Sequence, residues 1–370
     1  MSLRNISISK RLAKQAELRE NKRSQWYNLR PILGYANWAI FYLLLGGREI
    51  GKSYSVTNFF VDQWKNKGIP FTWLRLTEAA ARKLLMNNAE KLIDPDLRRK
   101  YNLDLVTSGN NVYEVTKRSE PDENGKTKIL EKKLMARVYA ISTFYNDKGS
   151  IFDKDFLNDP CMRYNIAIDE FQREEGEKNT FDITYSLVNQ LENLVRSTKE
   201  RIKIFFLGNT LEESSDILCA FNYIPETWGI FKLKKKRAVI HNIEPTAEYK
   251  ARRSGTIADI LMPTASTFTN RIDADSTLIT KQRLKNPEYI IKFRKDKSSW
   301  FTVWDNNVIK KYNGEKKQAI AMRPYLDEKF MVNLQNQVII LFDQRSYLFT
   351  NLITFKQFQK ELSLLKPRSK

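Results

Sequence analysis

The stretch that decides the fold is the glycine-rich loop over residues 46–53, which reads Gly46-Gly47-Arg48-Glu49-Ile50-Gly51-Lys52-Ser53 and matches G-x-x-x-x-G-K-[ST] in full. A continuous apolar run over 39–45 precedes it, and helical spacing follows over 53–66. This order predicts a phosphate-binding loop, in which backbone N–H groups and a helix N-terminus hold phosphates. We expect Lys52 to reach the β and γ phosphates of ATP and Ser53 to ligate Mg²⁺. Tyr54, the next residue, joins the nucleotide-binding set.

An acidic pair follows a second apolar strand, residues 165–168. We expect Asp169 to hold Mg²⁺ through water and Glu170 to polarise the attacking water. The pair indicates the additional-strand, catalytic-glutamate class of P-loop NTPases and argues against the small GTPases. Two carboxylates after a strand are also common as the solvated start of a loop, so this interpretation depends on the phosphate loop.

A third apolar strand, residues 202–207, has a polar tip at Asn209. In this NTPase class the strand between the two motifs ends in a group that senses the γ-phosphate, and Asn209 is the candidate; a turn or cap residue is the alternative. Just upstream, Arg196 and, as second choice, Arg201 are candidates for an arginine finger that acts on a neighbouring subunit. A solvated helix end explains these cations almost as well.

The charge of the chain is strongly positive. Its 370 residues carry a formal charge of +20 with a pI near 9.7, which favours a polyanionic partner, and nucleic acid above all. Two isolated cysteines and a single histidine, His241, form neither a disulfide framework nor a metal cluster, so we expect a reducing compartment and a structural histidine. No apolar run approaches 18 residues, and the sequence predicts neither a membrane span nor a signal peptide.

Alternating strands and helices predict an α/β fold with a parallel-sheet core. Besides the strands above, we expect strands over 70–76, 134–141 and 229–243, helices over 77–93 and 184–198, and a hairpin over 115–133. From about residue 270 the pattern becomes β-like, and an amphipathic helix closes the chain over 356–365. The predicted parts are a basic N-terminal arm (1–34), a P-loop ATPase domain (35–244), a helical linker (245–270) and a smaller C-terminal α+β domain (271–370).

With GGREIGKS, YNIAIDE and FFLGN in that order, the sequence resembles phage DNA-packaging ATPases, in particular the terminase-like motors of small protein-primed podophages. The likeness covers roughly residues 35–365, more strongly in the first domain. It implies a homomeric ring, expected to be a pentamer, that sits in the host cytoplasm on the portal of an empty capsid and drives double-stranded DNA inward. A packaging RNA is a further partner that the resemblance leaves open.

The resemblance also assigns roles to single residues. It places Arg196 and Lys148 as trans-acting cations and Arg75 beside the nucleotide. It further implies that the C-terminal domain resembles an RNase H-like nuclease fold without catalytic carboxylates. Four carboxylates are available there for a two-metal site, yet no pattern brings them together, so we expect a non-catalytic domain that binds nucleic acid or the portal. They are Asp273, Asp275, Asp305 and Asp343.

Several basic clusters are candidates for gripping DNA phosphates. They are Arg82 and Lys83, 98–100, 126–133, 232–237, and Lys250, Arg252 and Arg253. Each cluster taken alone is more often a solvated face. Two other functions stay open: a P-loop enzyme with its own chemistry on DNA, such as an active terminase nuclease or a helicase, and a nucleic-acid-binding protein whose P-loop only switches conformation. Glu170 argues against the switch, since a switch has little use for a polarising carboxylate.

Overall fold

The computed structural model describes residues 26–123, 126–142, 164–171, 183–195, 202–209, 216–225, 227–257, 260, 278–305, 307–322 and 332–365. These residues form two compact units. The first contains the described residues up to 209 together with 225–260, and the second contains 216–224 together with 278–365. Residues 216–224 fold with the second unit, although the sequence places them in the P-loop ATPase domain (35–244). The described part of 245–260 folds with the first unit, although the sequence places it in a separate linker.

The strands and helices alternate through the first unit, as the sequence predicts. The strands of the chain are β1 (Phe41–Leu45), β2 (Phe71–Arg75), β3 (Leu105–Ser108), β4 (Asn111–Arg118), β5 (Ile129–Ala140), β6 (Tyr164–Asp169), β7 (Ile202–Gly208), β8 (Gly229–Leu233), β9 (Ala238–Asn242), β10 (Pro287–Lys292), β11 (Trp300–Trp304), β12 (Val308–Lys311), β13 (Ala319–Ala321) and β14 (Leu348–Phe349). Among the described residues, the helices are α1 (Arg30–Leu33), α2 (Lys52–Lys67), α3 (Glu78–Ala89), α4 (Pro95–Tyr101), α5 (Ile183–Val195), α6 (Asp216–Phe221), α7 (Ala247–Arg253), α8 (Val332–Asp343) and α9 (Leu352–Ser363).

The first unit is built on a nine-stranded sheet in the order β3-β4-β5-β2-β6-β7-β1-β9-β8. Six neighbouring strands of this order run parallel, namely β5, β2, β6, β7, β1 and β9. At the two edges, β3, β4 and β8 pair antiparallel with their neighbours. Parallel strands are covered on both faces, so they appear in sequence as continuous apolar runs, and β6 is buried along its whole length. In this order β7 lies between β1, which leads into the glycine-rich loop, and β6, which ends at the acidic pair.

Aromatic side chains fill the core beside α2. Tyr42 of β1 stacks on Phe205 of β7 with ring centroids 4.8 Å apart, and Phe60 of α2 meets Phe205 edge-on at 5.4 Å. All three are fully buried. Burying side chains of this size stabilises the fold by about 2–3 kcal/mol each, and this packing fixes α2 against the strands that carry the loop and its neighbours.

The predicted core strands are confirmed, and three predictions near them are corrected. The single strand expected over 229–243 is a hairpin, because a 3₁₀ turn at Lys234–Lys236 and a left-handed Arg237 (φ 52°) reverse the chain between β8 and β9. The helix expected over 77–93 loses helical geometry at Met86–Asn88 and is followed by the separate helix α4. In the helical linker expected over 245–270, helix α7 ends at Arg253, and Ser254 takes an extended conformation.

The second unit has a five-stranded mixed sheet in the order β13-β10-β11-β12-β14. Phe293, Phe301 and Phe358 pack edge-to-face at 5.1–5.8 Å and bring α9 onto the sheet. Helix α9 begins four residues earlier than expected, where the Asn351 side chain caps it by accepting the N–H of Thr354. Within the described residues, no helix is both long and apolar enough to cross a lipid bilayer.

Candidate functional site

The glycine-rich loop connects β1 to the N-terminus of α2. Gly51 takes φ 91°, a left-handed conformation that glycine adopts without strain, and Glu49 takes φ 62°. Both outer glycines are also closely packed, since a Cβ added at Gly46 would lie 3.2 Å from Ile243 and one at Gly51 would lie 3.3 Å from the Trp26 ring. The loop therefore turns sharply between β1 and α2, with close neighbours at both glycines.

Lys52 is buried and is held over the loop. Its Nζ donates to the carbonyls of Gly46 at 2.8 Å and Gly47 at 2.7 Å, and to the Asn209 Oδ1 at 3.3 Å. Burial lowers the pKa of Lys52 to about 8, while Asp169 and Glu170 act in the opposite direction. An ammonium that contacts only carbonyl and amide oxygens in a buried site is stabilised when an anion arrives beside it.

The acidic pair lies at the end of β6, beside the start of α2. The Ser53 hydroxyl donates to the Asp169 Oδ1 at 3.3 Å. Burial raises the pKa of the Asp169 carboxyl, and the Arg75 guanidinium acts against that rise. Glu170 has φ 51°, and its backbone N–H donates to the Leu207 carbonyl at 2.9 Å, which turns the residue away from the strand direction.

Arg75, at the end of β2, binds both members of the acidic pair. Its Nη1 donates to the Asp169 Oδ2 at 3.1 Å, and its Nη2 donates to the Glu170 Oε2. The Arg75 side chain is 15% exposed, whereas that of Glu170 is 52% exposed. Arg75 thus stands between a buried carboxylate and an accessible one and forms an ion pair with each.

The structure brings most of the predicted site residues together at the carboxyl ends of β1, β2, β6 and β7, and leaves some untested. Asn209 contacts Lys52 across the site. Lys148, Arg196 and Arg201 lie outside the described residues, so their roles remain predictions. Tyr54 is 44% exposed. It lines a cavity of about 790 Å³ that begins at Gly51 and runs along α2.

Sequence reasoning missed two segments that support the loop from behind. In the expected N-terminal arm, Tyr27 is buried, and its backbone N–H donates to the Ile50 carbonyl at 2.9 Å. Its hydroxyl lies 3.0 Å from the Nδ1 of His241, whose pKa burial lowers to about 4, which is consistent with the structural role expected for it. The aromatic pair at residues 26–27, in an arm rich in Lys, Arg, Gln and Asn, was an available hint.

Helix α7, in the expected linker, is the second missed segment. Tyr249 donates through its hydroxyl to the Arg48 carbonyl at 2.9 Å, and Arg252 donates to the Glu49 carbonyl. Arg253 forms an ion pair with the Glu49 carboxylate at 2.9 Å. No local pattern predicts contacts between residues about 200 positions apart.

The basic clusters expected to hold DNA differ in their surroundings. Arg98 donates to the backbone carbonyls of Asn88 and Ile93, and Arg252 is engaged by the loop. These two arginines have structural partners. The described lysines of the β4–β5 hairpin, Lys126, Lys128, Lys132 and Lys133, are exposed, as are Lys234–Lys236.

Of the carboxylates considered for a nuclease site, Asp305 accepts the backbone N–H groups of Lys285 and Asn286, at 2.6 and 3.0 Å. Among the described residues, no group of three or more His, Cys, Asp or Glu side chains is placed to hold a metal ion. Asp273 and Asp275 lie outside those residues.

Comparison with known proteins confirms the resemblance expected from the motifs. The chain is 20% identical over 273 residues to the DNA packaging proteins of Bacillus phages phi29 and PZA, covering 72% of this chain and 72% of each relative. No protein-family model matches it.

Two solved structures share its fold. One is the bacteriophage Phi-29 viral genome packaging motor assembly, with TM-score 0.62, 19% identity, and coverage of 92% of this chain and 99% of that one. The other is the Phi-28 DNA packaging motor, with TM-score 0.58, 16% identity, and coverage of 94% and 100%. The α/β architecture is thus shared with phage packaging motors along almost the whole chain.

Proposed function

We propose that this protein is an ATP-driven motor that moves double-stranded viral DNA into a preformed capsid as a homomeric ring. The observation that carries the proposal is the meeting of Lys52, Ser53, Asp169, Glu170 and Asn209 at one edge of a parallel sheet. The likeness to DNA packaging proteins supports the choice of DNA as the moved substrate. The charge of +20 fits a polyanion held through its phosphates.

The strand order supports placement in the additional-strand, catalytic-glutamate class of P-loop NTPases. In that class a further strand separates the phosphate-loop strand from the acidic strand, and β7 occupies this position. Asn209, at its tip, would sense the γ-phosphate while touching Lys52. Lys52 would bind the β and γ phosphates of ATP together with the backbone N–H groups of the loop.

The donor set beside the loop fits Mg²⁺. Ser53 and Asp169 present a hydroxyl and a carboxylate 3.3 Å apart, and Mg²⁺ prefers oxygen ligands with one or two carboxylates completed by waters and phosphates. These two residues would hold the ion, which when bound neutralises charge on the phosphates. Removal of divalent ions with a chelator should therefore stop ATP hydrolysis.

Glu170 is the proposed general base. Its carboxylate is accessible and forms an ion pair with Arg75, and a carboxylate in this position can accept a proton from the attacking water. Because Arg75 binds this carboxylate, it would control where Glu170 points. Arg75 would therefore act beside the nucleotide, as the resemblance implies.

The proposed ring completes the site across subunits. Arg196, with Arg201 as the alternative, and Lys148 would supply positive charge to the γ-phosphate of the next subunit. We further propose a pentamer in the host cytoplasm that attaches to the capsid portal, with a packaging RNA as an optional partner. The C-terminal domain (271–370) is proposed as a non-catalytic, nuclease-like binding domain for nucleic acid or the portal.

The test is the ATPase rate of the purified full-length protein with and without double-stranded DNA, with the DNA examined on a gel afterwards. We expect DNA to raise the rate and to stay intact, and Lys52→Ala to abolish hydrolysis with and without DNA. Metal-dependent nicking of the DNA would favour an active terminase nuclease, and strand separation would favour a helicase. Normal turnover by Lys52→Ala would overturn the site itself.

A further inference from the structure

Three consecutive carbonyls of the glycine-rich loop are held from outside the loop. The Arg48 carbonyl accepts the Tyr249 hydroxyl at 2.9 Å, and the Glu49 carbonyl accepts the Arg252 guanidinium. The Ile50 carbonyl accepts the backbone N–H of Tyr27 at 2.9 Å. All three donors lie on the two segments behind the loop, residues 26–27 and α7.

Peptide geometry makes these contacts informative about the opposite face of the loop. In a trans peptide the C=O and the following N–H point in opposite directions, and the chain contains no cis peptide in the described residues. When the carbonyls of residues 48–50 face the two supporting segments, the N–H groups of Glu49, Ile50 and Gly51 face away from them. Successive N–H groups turned to one side form an anion-binding concavity.

The backbone conformation of the loop at Glu49 is strained and needs contacts that stabilise it. Glu49 is a non-glycine residue at φ 62°, which is an uncommon, strained position. Two arginines hold it: Arg252 binds its backbone carbonyl, and Arg253 binds its carboxylate at 2.9 Å. The Arg253 side chain is only 9% exposed, so it needs an anionic partner. The guanidinium of Arg252 also lies 4.1 Å from the centre of the Trp26 ring, which links α7 to the N-terminal segment.

Local structure places α7 to make these contacts. Thr246 caps the helix by accepting the N–H of Tyr249 at 3.0 Å. Tyr249 is fully buried, and positions 249, 252 and 253 fall on one side of a helix because they are three and four residues apart. Arg252 and Arg253 of α7, which the sequence offers as candidate DNA contacts, thus bind Glu49 within the protein.

We propose that Tyr249, Arg252 and Arg253 are positioning residues of the nucleotide site, which orient the loop N–H groups toward the ligand's phosphates before the ligand arrives. The proposal rests on the proposed function, since it assumes that the loop binds nucleotide. The chemical group recognised is the phosphate chain, whatever base is attached to it. Pre-orienting the amides raises affinity because less ordering is required on binding.

The test compares Tyr249→Phe with Tyr42→Phe in the full-length protein. Both changes remove a buried hydroxyl that donates to a backbone carbonyl, but the Tyr42 hydroxyl reaches Ala39, away from the loop. Calorimetry with ADP and Mg²⁺, and with tripolyphosphate and Mg²⁺, measures binding. For Tyr249→Phe we expect both ligands to bind about five-fold more weakly, the effect of losing one hydrogen bond, with kcat at saturating ATP within about two-fold of wild type. Tyr42→Phe should bind both like wild type.

Equal binding by Tyr249→Phe and wild type would overturn the inference, as would a loss for ADP that tripolyphosphate does not share. If Tyr249→Phe does not fold, Arg252→Gln replaces it and should weaken both ligands about ten-fold, since it removes a charged donor; unchanged binding in that variant would also overturn the inference. A wild-type protein that binds neither ligand would instead refute the proposed function, and the inference with it.

Discussion

Binding of nucleotide should take up a proton at alkaline pH, because of Lys52. Its side chain is buried, and its pKa in the free site is about 8 instead of 10.5. At about 1.4 kcal/mol per pH unit, a pKa lowered from 10.5 to about 8 means that burial disfavours the charged form by roughly 3 kcal/mol. The negative phosphates of a bound nucleotide favour the ammonium form and raise this pKa again. Free Lys52 is therefore largely neutral at pH 9, whereas bound Lys52 is charged.

The direction and size of the pH dependence of ADP affinity follow from the difference between the pKa of Lys52 before and after binding. Because the free site holds fewer protons than the bound site above pH 8, affinity must fall as pH rises. For a free pKa of about 8, we expect ADP to bind roughly tenfold more weakly at pH 9 than at pH 7, with ~0.9 proton taken up per ADP at pH 9 and ~0.1 at pH 7. Calorimetry in buffers of different ionisation enthalpy measures this uptake directly.

Lys52→Arg is the matched control, since a guanidinium stays charged across this range. Its ADP affinity should be independent of pH between 7 and 9, and its binding should take up no proton. If the wild-type protein binds ADP equally tightly at pH 7 and pH 9 and takes up no proton, Lys52 is not desolvated before ADP binds. That result would refute the reasoning.

Three further predictions concern the rest of the site. Glu170→Gln should bind ATP with nearly wild-type affinity and hydrolyse it at least 10²-fold more slowly, measured by nucleotide titration and phosphate release; lost binding would mean that its role is misassigned. Asn209→Ala should lower kcat more than it raises KM, because it removes a neutral partner of Lys52 and the proposed γ-phosphate sensor; a change in KM alone would contradict this. Mixing Arg196→Ala with Glu170→Gln subunits should recover part of the activity at mixed interfaces, whereas no recovery at any ratio would favour a role for Arg196 within its own subunit.

The sheet core and the loop could be predicted from the sequence because their physical causes are local. Strands buried on both faces are mainly apolar, as β1, β6 and β7 are, and polar residues at their carboxyl ends gather at one edge of the sheet. The pairs Ser53–Asp169 and Lys52–Asn209 follow from that rule.

Other features could not be predicted, because tertiary contacts decide them. The turn between β8 and β9 consists of lysines and a left-handed Arg237, without the Gly, Asn or Asp that usually marks such a turn. The break at Met86–Asn88 contains neither Gly nor Pro, and its two left-handed asparagines, Asn87 and Asn88, are residues that tolerate this conformation inside a segment that otherwise has helical spacing. Helix α8 was not predicted as a separate element. Tyr27 contacts the loop from about 25 residues before it, and α7 contacts it from about 200 residues after it.

The close packing of the outer loop glycines limits which sequences the rest of the chain can tolerate. Gly46 faces Ile243, and Gly51 faces Trp26, and a Cβ added at either glycine would require its neighbour to shift by a few tenths of an ångström. Each glycine is therefore one member of a complementary pair whose bulky member lies outside the motif. A smaller residue at position 26 would give space for a Cβ at Gly51, but the backbone there would still be left-handed and strained for any other residue. The backbone at Gly46 is not left-handed. A smaller residue at position 243 would therefore give space for a Cβ at Gly46 without backbone strain. The two glycines look equivalent in the motif, yet only one of them could be exchanged by changing its neighbour.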